Sequence, residues 1–513
     1  MARGKAAIPL DLPRPPGLSA QGGASKQDRI ADALREAILQ RRLPAGAALP
    51  STRTLAERWR IARGTVEAAF ERLVAEGYLS RVRGSGTRVS AVVPDTYLMA
   101  PGDAAAVPAA SAASAAGSPA SPPRAPAVAP PPASADAPSG NRIGVPFVAR
   151  LADPSLLRLG DWKRQLAAAL AGLEPADLGA ASPHGEPALR ARIAAWLGEY
   201  RGIACEPDDV FVTTGIRHSL DLVLRAIAVR GRRVAIEDPG YPMTAQLVEL
   251  NGAQALAVAV DPQGLVAARL ADARDVATVC VTPAHQSPLG VTMSVSRRLE
   301  LLDWAQRHEA WIVEDDYDGE FSYQAAPLPA LKALDRHARA IYCGSFNKTL
   351  FAGLRIGFIV APAALRQRLA ALLAATGRPV GAIEQRALAG FIGSGGFARH
   401  LRASRQAYQQ RRDAVLARLS AEAGAAGRYA VSGEQAGFHF VLWLDPARDE
   451  RAFVRAAAAN GIMLQPLGDY CREARLPPAV LVGYTALTLA QARYAGRTLA
   501  RVLAGDDAEN QAG

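Results

Sequence analysis

Residues 101–140 read PGDAAAVPAASAASAAGSPASPPRAPAVAPPPASADAPSG, and a chain interrupted by such a stretch does not fold around one core. Nearly every residue is Ala, Pro, Ser or Gly, none is aromatic, and the apolar ones follow no helical or strand period. Such a segment cannot bury enough surface to offset the entropy lost on ordering it. It is a linker whose 40 residues span roughly 35 Å as a flexible coil and about 120 Å if stretched towards polyproline II. The full 513 residues are also too many for one core. The expected division is a tail over 1–24, a small domain over 25–90, the linker over 91–144, a large domain over 145–506 and a tail over 507–513.

Charge is unevenly divided between these parts. Residues 1–90 hold 16 Arg and Lys against 8 Asp and Glu, which is +8 of the chain's +11. A basic end beside a near-neutral bulk points to a polyanion-binding module. Cys205, Cys280, Cys343 and Cys471 lie far apart with no metal-ligand spacing, so reduced thiols and no metal site are expected. Prolines and Asp11 interrupt the N-terminus where a signal peptide needs an apolar core, and no apolar run reaches the length of a membrane span. A cytoplasmic protein is expected.

The small domain reads as three helices and a hairpin. Ile30, Leu34, Ala37, Ile38 and Arg41 recur at helical spacing, and Pro44, Gly46 and Pro50 break the pattern. STRTLAERWR is a short helix that Ser51 or Thr52 caps. RGTVEAAFERLVAEG is a third, with Val66, Phe70, Leu73 and Val74 on one face and Gly77 at its end, and YLSRVRGSGTRVS alternates around a glycine turn. This order makes a winged helix-turn-helix, whose second helix of the pair reads the major groove of duplex DNA. Arg63 and Thr65 open that helix, with Arg53 near the start of the one before. Gly84 and Gly86 let backbone amides of the wing approach phosphate, flanked by Arg81, Arg83 and Arg88.

From residue 145 strands and helices alternate. DDVFVTTG, RRVAIEDPG, VATVCVTP, AWIVEDDYD and AIYCGSF are short apolar runs separated by helical patterns. A mostly parallel sheet covered by helices on both faces is expected, with its chemistry at the carboxyl ends of the strands. Lys348 lies just after one such end and is one of only five lysines among 59 basic residues. A desolvated amine has a lowered pKa and is nucleophilic towards an aldehyde. Other strand ends offer an anion for a ring nitrogen (Asp315), a cation and hydroxyl for a phosphate (Arg355, Ser345) and an aromatic face (Tyr241). Pyridoxal 5′-phosphate (PLP) has these requirements.

Two resemblances sharpen the reading. AILQRRLPAGAALPSTRTLAERWRIARGTVEAAFERLVAEGYLSRVRGSGTRVS resembles the GntR-type winged helix, which implies DNA contacts at Arg53, Arg63, Gly64 and Gly84. Glu67 stands where that family often has a basic residue. EDPGYP, TPAHQSPLGVTM, EDDYDGEF, SFNKTLFAGLRIGF and GSGGFARHLR resemble the MocR-like regulators, which join that winged helix to a fold-type I aminotransferase domain. The resemblance implies that Lys348 takes the cofactor's aldehyde and Asp315 pairs with its pyridinium nitrogen. Tyr317 bonds the phenolic oxygen, Tyr241 stacks on the ring, and Arg355, Ser345 and the amides of Gly215 and Ile216 hold the phosphate. It also implies a homodimer, in which each winged helix often lies over the partner's core.

The chain departs from the pattern in three places. Asn347 precedes the lysine where serine is common, Arg217 and His218 follow the phosphate glycine, and Leu481 stands where aminotransferases hold a substrate carboxylate with arginine. Arg472 and Arg475 lie just upstream of it. The expected function is a PLP-binding transcription regulator, not an enzyme, whose large domain senses PLP or an amino compound and alters operator binding. The alternatives are an aminotransferase with a DNA-binding appendage and a regulator whose large domain serves only dimerisation.

Overall fold

The computed structural model describes residues 26–39, 42–43, 47–75, 79–82, 86–89, 145–179, 182–271, 273, 275–323, 328–377, 380–423 and 429–505. Arg41, Gly77, Arg83 and Gly84 lie outside the described residues.

Helices α1 (Lys26–Leu39), α2 (Thr52–Trp59) and α3 (Arg63–Ala75) precede the hairpin β1 (Leu79–Val82) and β2 (Gly86–Val89). Their apolar stripes meet in one core of Ile30, Leu34, Leu55, Trp59, Phe70 and Leu73, as helical spacing requires. Ser51 caps α2 by accepting from the Thr54 amide at 3.1 Å, and Arg60, at φ 54°, ends it. The hairpin is antiparallel, with Val82 opposite Gly86. Leu49 N–H donates to Thr87 and Val89 N–H to Ala47, both at 2.9 Å, so residues 47–49 add a third edge to the wing. Sequence reads that stretch only as a break, because three residues are too few to show a period.

The large unit holds an eight-stranded sheet in the order β3-β10-β9-β8-β7-β4-β5-β6. The strands are β3 (Val210–Thr213), β4 (Arg233–Asp238), β5 (Gln254–Asp261), β6 (Gly264–Leu265), β7 (Val276–Val281), β8 (Trp311–Asp316), β9 (Ala340–Ser345) and β10 (Gly357–Val360). The five runs expected as strands are β3, β4, β7, β8 and β9. β10 runs antiparallel to both neighbours and β6 antiparallel to β5; the other pairings are parallel.

The helices are α4 (Leu159–Ala171), α5 (Pro187–Arg201), α6 (Ile216–Ile227), α7 (Pro242–Leu250), α8 (Val295–Arg307), α9 (Phe346–Thr349), α10 (Ala363–Thr376), α11 (Ala382–Gly393), α12 (Gly396–Ala423), α13 (Glu450–Ala459) and α14 (Leu489–Ala504). Alternation along each strand sorts them into layers. Phe211 packs with Leu220, Val223 and Leu365 from α6 and α10, whereas Val210 and Val212 face Leu189, Ile193 and Leu197 of α5. A second sheet, β11-β12-β14-β13, is wholly antiparallel, built from β11 (Ala430–Ser432), β12 (His439–Trp443), β13 (Gln465–Pro466) and β14 (Ala479–Gly483). Among the described residues no helix is long and apolar enough to cross a membrane. No group of three metal-ligating side chains occurs among them either.

Candidate cofactor site and nucleic-acid interface

Lys348 is positioned by the end of β9. Ser345 closes that strand and caps α9, its hydroxyl accepting from the Asn347 amide at 3.3 Å, which sets the lysine on the following half-turn. Asn347 accepts from the Ile356 amide at 2.9 Å and donates to the Thr214 carbonyl at 3.3 Å, so it ties the lysine turn to the loop after β3. The Lys348 ammonium lies 5.1 Å from the Tyr317 ring centroid and 5.9 Å from that of Phe438. Burial first, and then the positive charge of Arg150, push its pKa down to about 7.

The loop after β3 turns into α6 through Gly215, at φ 121°, and no side chain caps this helix. Its first amides, from Ile216 on, are therefore free for an anion, favoured there by the helix dipole. A Cβ on Gly215 would collide with Asn347 Nδ2 and stand 3.7 Å from Ser345 Oγ, so the bare turn and the serine face one space. Arg355 is exposed at φ 54°; burial first, and then the charges of Arg225 and Arg355, lower the pKa of His218 in the first turn of α6. A Cβ on Gly357 would stand 2.5 Å from Gly215 Cα. Gly357→Ala is therefore expected to spread β3 from β10 at a cost of about 1–3 kcal/mol, read as a lower unfolding transition. An unchanged transition would show that the strands yield freely.

Asp315, next to last in β8, is buried, and among the described residues its Oδ1 has no hydrogen-bond partner. Burial and neighbouring Asp316 push its carboxyl up to about 8. A buried carboxyl oxygen without a partner is costly unless a ligand supplies one. It lines a narrow cavity with Glu237, Tyr241, Cys280 and Thr282. Two residues on, the Tyr317 hydroxyl lies 3.2 Å from His285 Nδ1, which also pairs with Asp318 Oδ2 at 3.0 Å. These three side chains are buried, as Asp315 is.

Tyr241 N-caps α7, and Arg217 donates to its hydroxyl from Nη2 at 3.0 Å and Nε at 3.2 Å. Arg217, a departure from the family pattern, therefore steadies the aromatic ring. The Arg150 guanidinium carbon lies 4.9 Å from the Tyr241 ring centroid and 4.8 Å from that of Tyr470. Its Nη2 donates to Ser287 Oγ. Leu481 is fully buried in β14 among Ala149, Leu289 and Tyr470. Neither upstream arginine replaces the missing cation: Arg472 bonds Glu249 at 2.9 Å, and Arg475 bonds the carbonyls of Glu473 and Ala474 at 3.4 Å.

The structure thus places Asp315 and Tyr241 on one cavity and Lys348 against the Tyr317 ring, with the charge of Asp315 acting on the lysine, while Gly215 and Ser345 face one space at the start of α6. Sequence reasoning passed over Arg150, His285 and Ser287. The last two stand inside the quoted TPAHQSPLGVTM, so the motif was visible and their roles were not. Arg150 carries no such signal.

In the small unit, Arg63, Gly64 and Thr65 form the first turn of α3, with Arg63 and Gly64 exposed. Nothing lies within 4 Å of a Cβ placed on Gly64, so a ligand backbone has a clear approach. Arg63 faces Glu67 at 3.8 Å and Arg53 faces Glu57 at 3.1 Å, both exposed pairs one helical turn apart. Such pairs are worth little in water and open readily towards a polyanion. Gly86 starts β2 at the near side of the wing turn.

Residues 26–89 match the model of the bacterial regulatory proteins of the gntR family, and residues 154–489 match aminotransferase class I and II. The HTH-type transcriptional regulator TauR of Rhodobacter capsulatus is 35% identical over 463 residues, covering 89% of this chain and 93% of TauR. The probable rhizopine catabolism regulatory protein MocR of Rhizobium meliloti is 32% identical, with 90% of each chain covered. The pyridoxine biosynthesis regulator PdxR of Corynebacterium glutamicum is 32% identical over 86% of this chain and 88% of PdxR. Among solved structures, an archaeal alanine:glyoxylate aminotransferase superposes with a TM-score of 0.64 at 25% identity, covering 70% of this chain and 90% of its own. The α-aminoadipate aminotransferase LysN of Thermus thermophilus gives 0.63 at 27%, covering 70% and 92%. The chain is a member of the MocR-like family of HTH-type transcriptional regulators, in which a gntR-type winged helix is joined to a class I and II aminotransferase domain.

Proposed function

We propose that this protein regulates transcription by binding operator DNA through residues 25–90 and PLP through residues 145–506, across the linker 91–144. The observation that carries this reading is the Oδ1 of Asp315, partnerless among the described residues, in a cavity it shares with Tyr241, with the buried Lys348 amine close enough to feel its charge and the start of α6 without a side-chain cap. The residues present fit the cofactor. Asp315 meets a protonated ring nitrogen with the buried oxygen that lacks a donor. Tyr317 offers its hydroxyl and Tyr241 its ring face. Gly215, Ile216, Ser345 and Arg355 hold a phosphate. When bound, PLP supplies an electron-withdrawing ring and an aldehyde that combines with amines.

The chain's own residues orient that group and exclude water. The named relatives are transcriptional regulators, and Leu481 stands where aminotransferases carry their carboxylate-binding arginine, so a regulator is favoured over an enzyme. A cytoplasmic homodimer suits both the DNA site and the reach of the linker. An amine or amino acid competing for the cofactor is the natural effector. It shifts DNA affinity to the extent that it binds the two arrangements of the dimer unequally.

The test is binding of the purified protein to DNA from its own promoter, with and without PLP and amines. Arg63→Ala is expected to weaken operator binding by about 1–3 kcal/mol, and to weaken random duplex less. Equal losses on both would assign Arg63 to phosphate. No effect of PLP on operator affinity would overturn the sensing role.

A further inference from the structure

Resting on that reading, we propose that Arg150 is the carboxylate-recognising residue of the effector site, which makes the effector an amino acid and not a simple amine. Arg150 enters from the segment leading into the large unit. That segment is pinned to β14, where Gly483 N–H donates to the Phe147 carbonyl at 3.1 Å. A Cβ on Gly483 would stand 2.5 Å from Ala149 Cα, so the approach is close. Arg150 itself sits at φ 64°, in the left-handed region that costs a non-glycine residue energy. A side chain held there by its surroundings is being aimed.

Its target is the cofactor cavity. The guanidinium lies between the rings of Tyr241 and Tyr470, 4.9 and 4.8 Å from their centroids, and donates to Ser287. Among the described residues its Nε is buried without a partner and no carboxylate forms an ion pair with it, although the charge of Asp318 acts on it. A half-buried cation that lacks an anion is incomplete. Arginine's planar fork matches a carboxylate with two parallel hydrogen bonds. Tyr241, whose ring Arg150 covers, lines the cavity of Asp315, so a molecule held in that cavity meets this cation at its wall. Leu481 packs with Ala149, the residue before Arg150, and with Tyr470, whose ring Arg150 covers. The cation that β14 lacks is thus supplied from the other end of the chain to the same corner.

The test uses full-length protein loaded with PLP and follows its visible absorption during titration with glycine, L-alanine and β-alanine. Methylamine and ethylamine, the same chains without the carboxylate, serve as the comparison. Wild-type protein is expected to respond to the amino acids at concentrations at least about tenfold lower. Arg150→Gln should keep the visible band and the amine response while losing that preference. If Arg150→Gln fails to hold PLP, Arg150→Lys decides, because it keeps charge but loses the fork and should narrow the preference. Wild-type protein that responds equally to both series, or a preference unchanged in the deciding variant, overturns the proposal alone. Absence of a visible band in wild-type protein overturns the PLP reading and the proposal with it.

Discussion

Lys348→Ala is expected to leave the protein without visible absorption after addition of PLP and gel filtration, while the wild type retains an absorbing species. The expected loss of affinity is at least about 100-fold, or about 2.7 kcal/mol. The reason is chemical. Only a primary amine whose lone pair is free combines with an aldehyde, and burial with the charge of Arg150 brings this amine's pKa down to about 7. Lys348→Arg should fail equally, since a guanidinium keeps the charge but not the nucleophile. The same shift sets the pH dependence. The protonated amine is inert, so the loading rate should climb with pH through about 7 and level off above it. An ordinary lysine would keep climbing towards about 10.4. Equal absorption in wild type and Lys348→Ala would place the reactive amine elsewhere. A rate still rising well above pH 8 would show that the amine is not desolvated in solution.

How much of this was legible beforehand depended on which residues carry local patterns. The five apolar runs that became β3, β4, β7, β8 and β9 are buried on both faces, and such strands announce themselves as unbroken hydrophobic stretches. β10, β11 and β13 are short or lie where turn residues dominate, so the second sheet left only the trace around Leu481. The winged helix was legible because helical spacing and the alternation of the two hairpin strands are both local signals. Within the site, Lys348, Asp315 and Tyr241 were legible because each stands where an apolar run stops. Arg150 was not. Its importance comes from a left-handed backbone, two tyrosines some 90 and 320 residues away in sequence, and a serine on a third segment. Composition cannot show that four distant segments converge.

The second large effect lies one residue beyond Asp315. Arg201, at the end of α5, pairs with Asp316 at the end of β8, and both side chains are about as buried as side chains become, at 2% and 1% exposure. Asp316 also accepts from the Tyr342 hydroxyl at 2.7 Å and from the Gly319 amide at 3.0 Å. Burial alone would drive the arginine towards neutrality, and the carboxylate holds it charged, its pKa raised well above the ordinary value. Arg201→Met removes one partner and leaves Asp316 charged in a space that excludes water, at an expected cost of about 3–5 kcal/mol. The measurement is the unfolding transition of full-length protein. The double variant Arg201→Met with Asp316→Asn should recover much of the loss, because it removes the stranded charge as well. The consequence for function follows from adjacency. Asp316 is the neighbour that most raises the carboxyl of Asp315 after burial, so stripping its counter-charge strengthens the push on Asp315 to stay protonated. A protonated Asp315 pairs poorly with a pyridinium, and PLP should be held more weakly in Arg201→Met than its stability alone explains. A variant as stable as wild type would mean that water reaches Asp316. Stability lost with PLP affinity intact would mean that the pair braces β8 against α5 and has no hold on the cofactor.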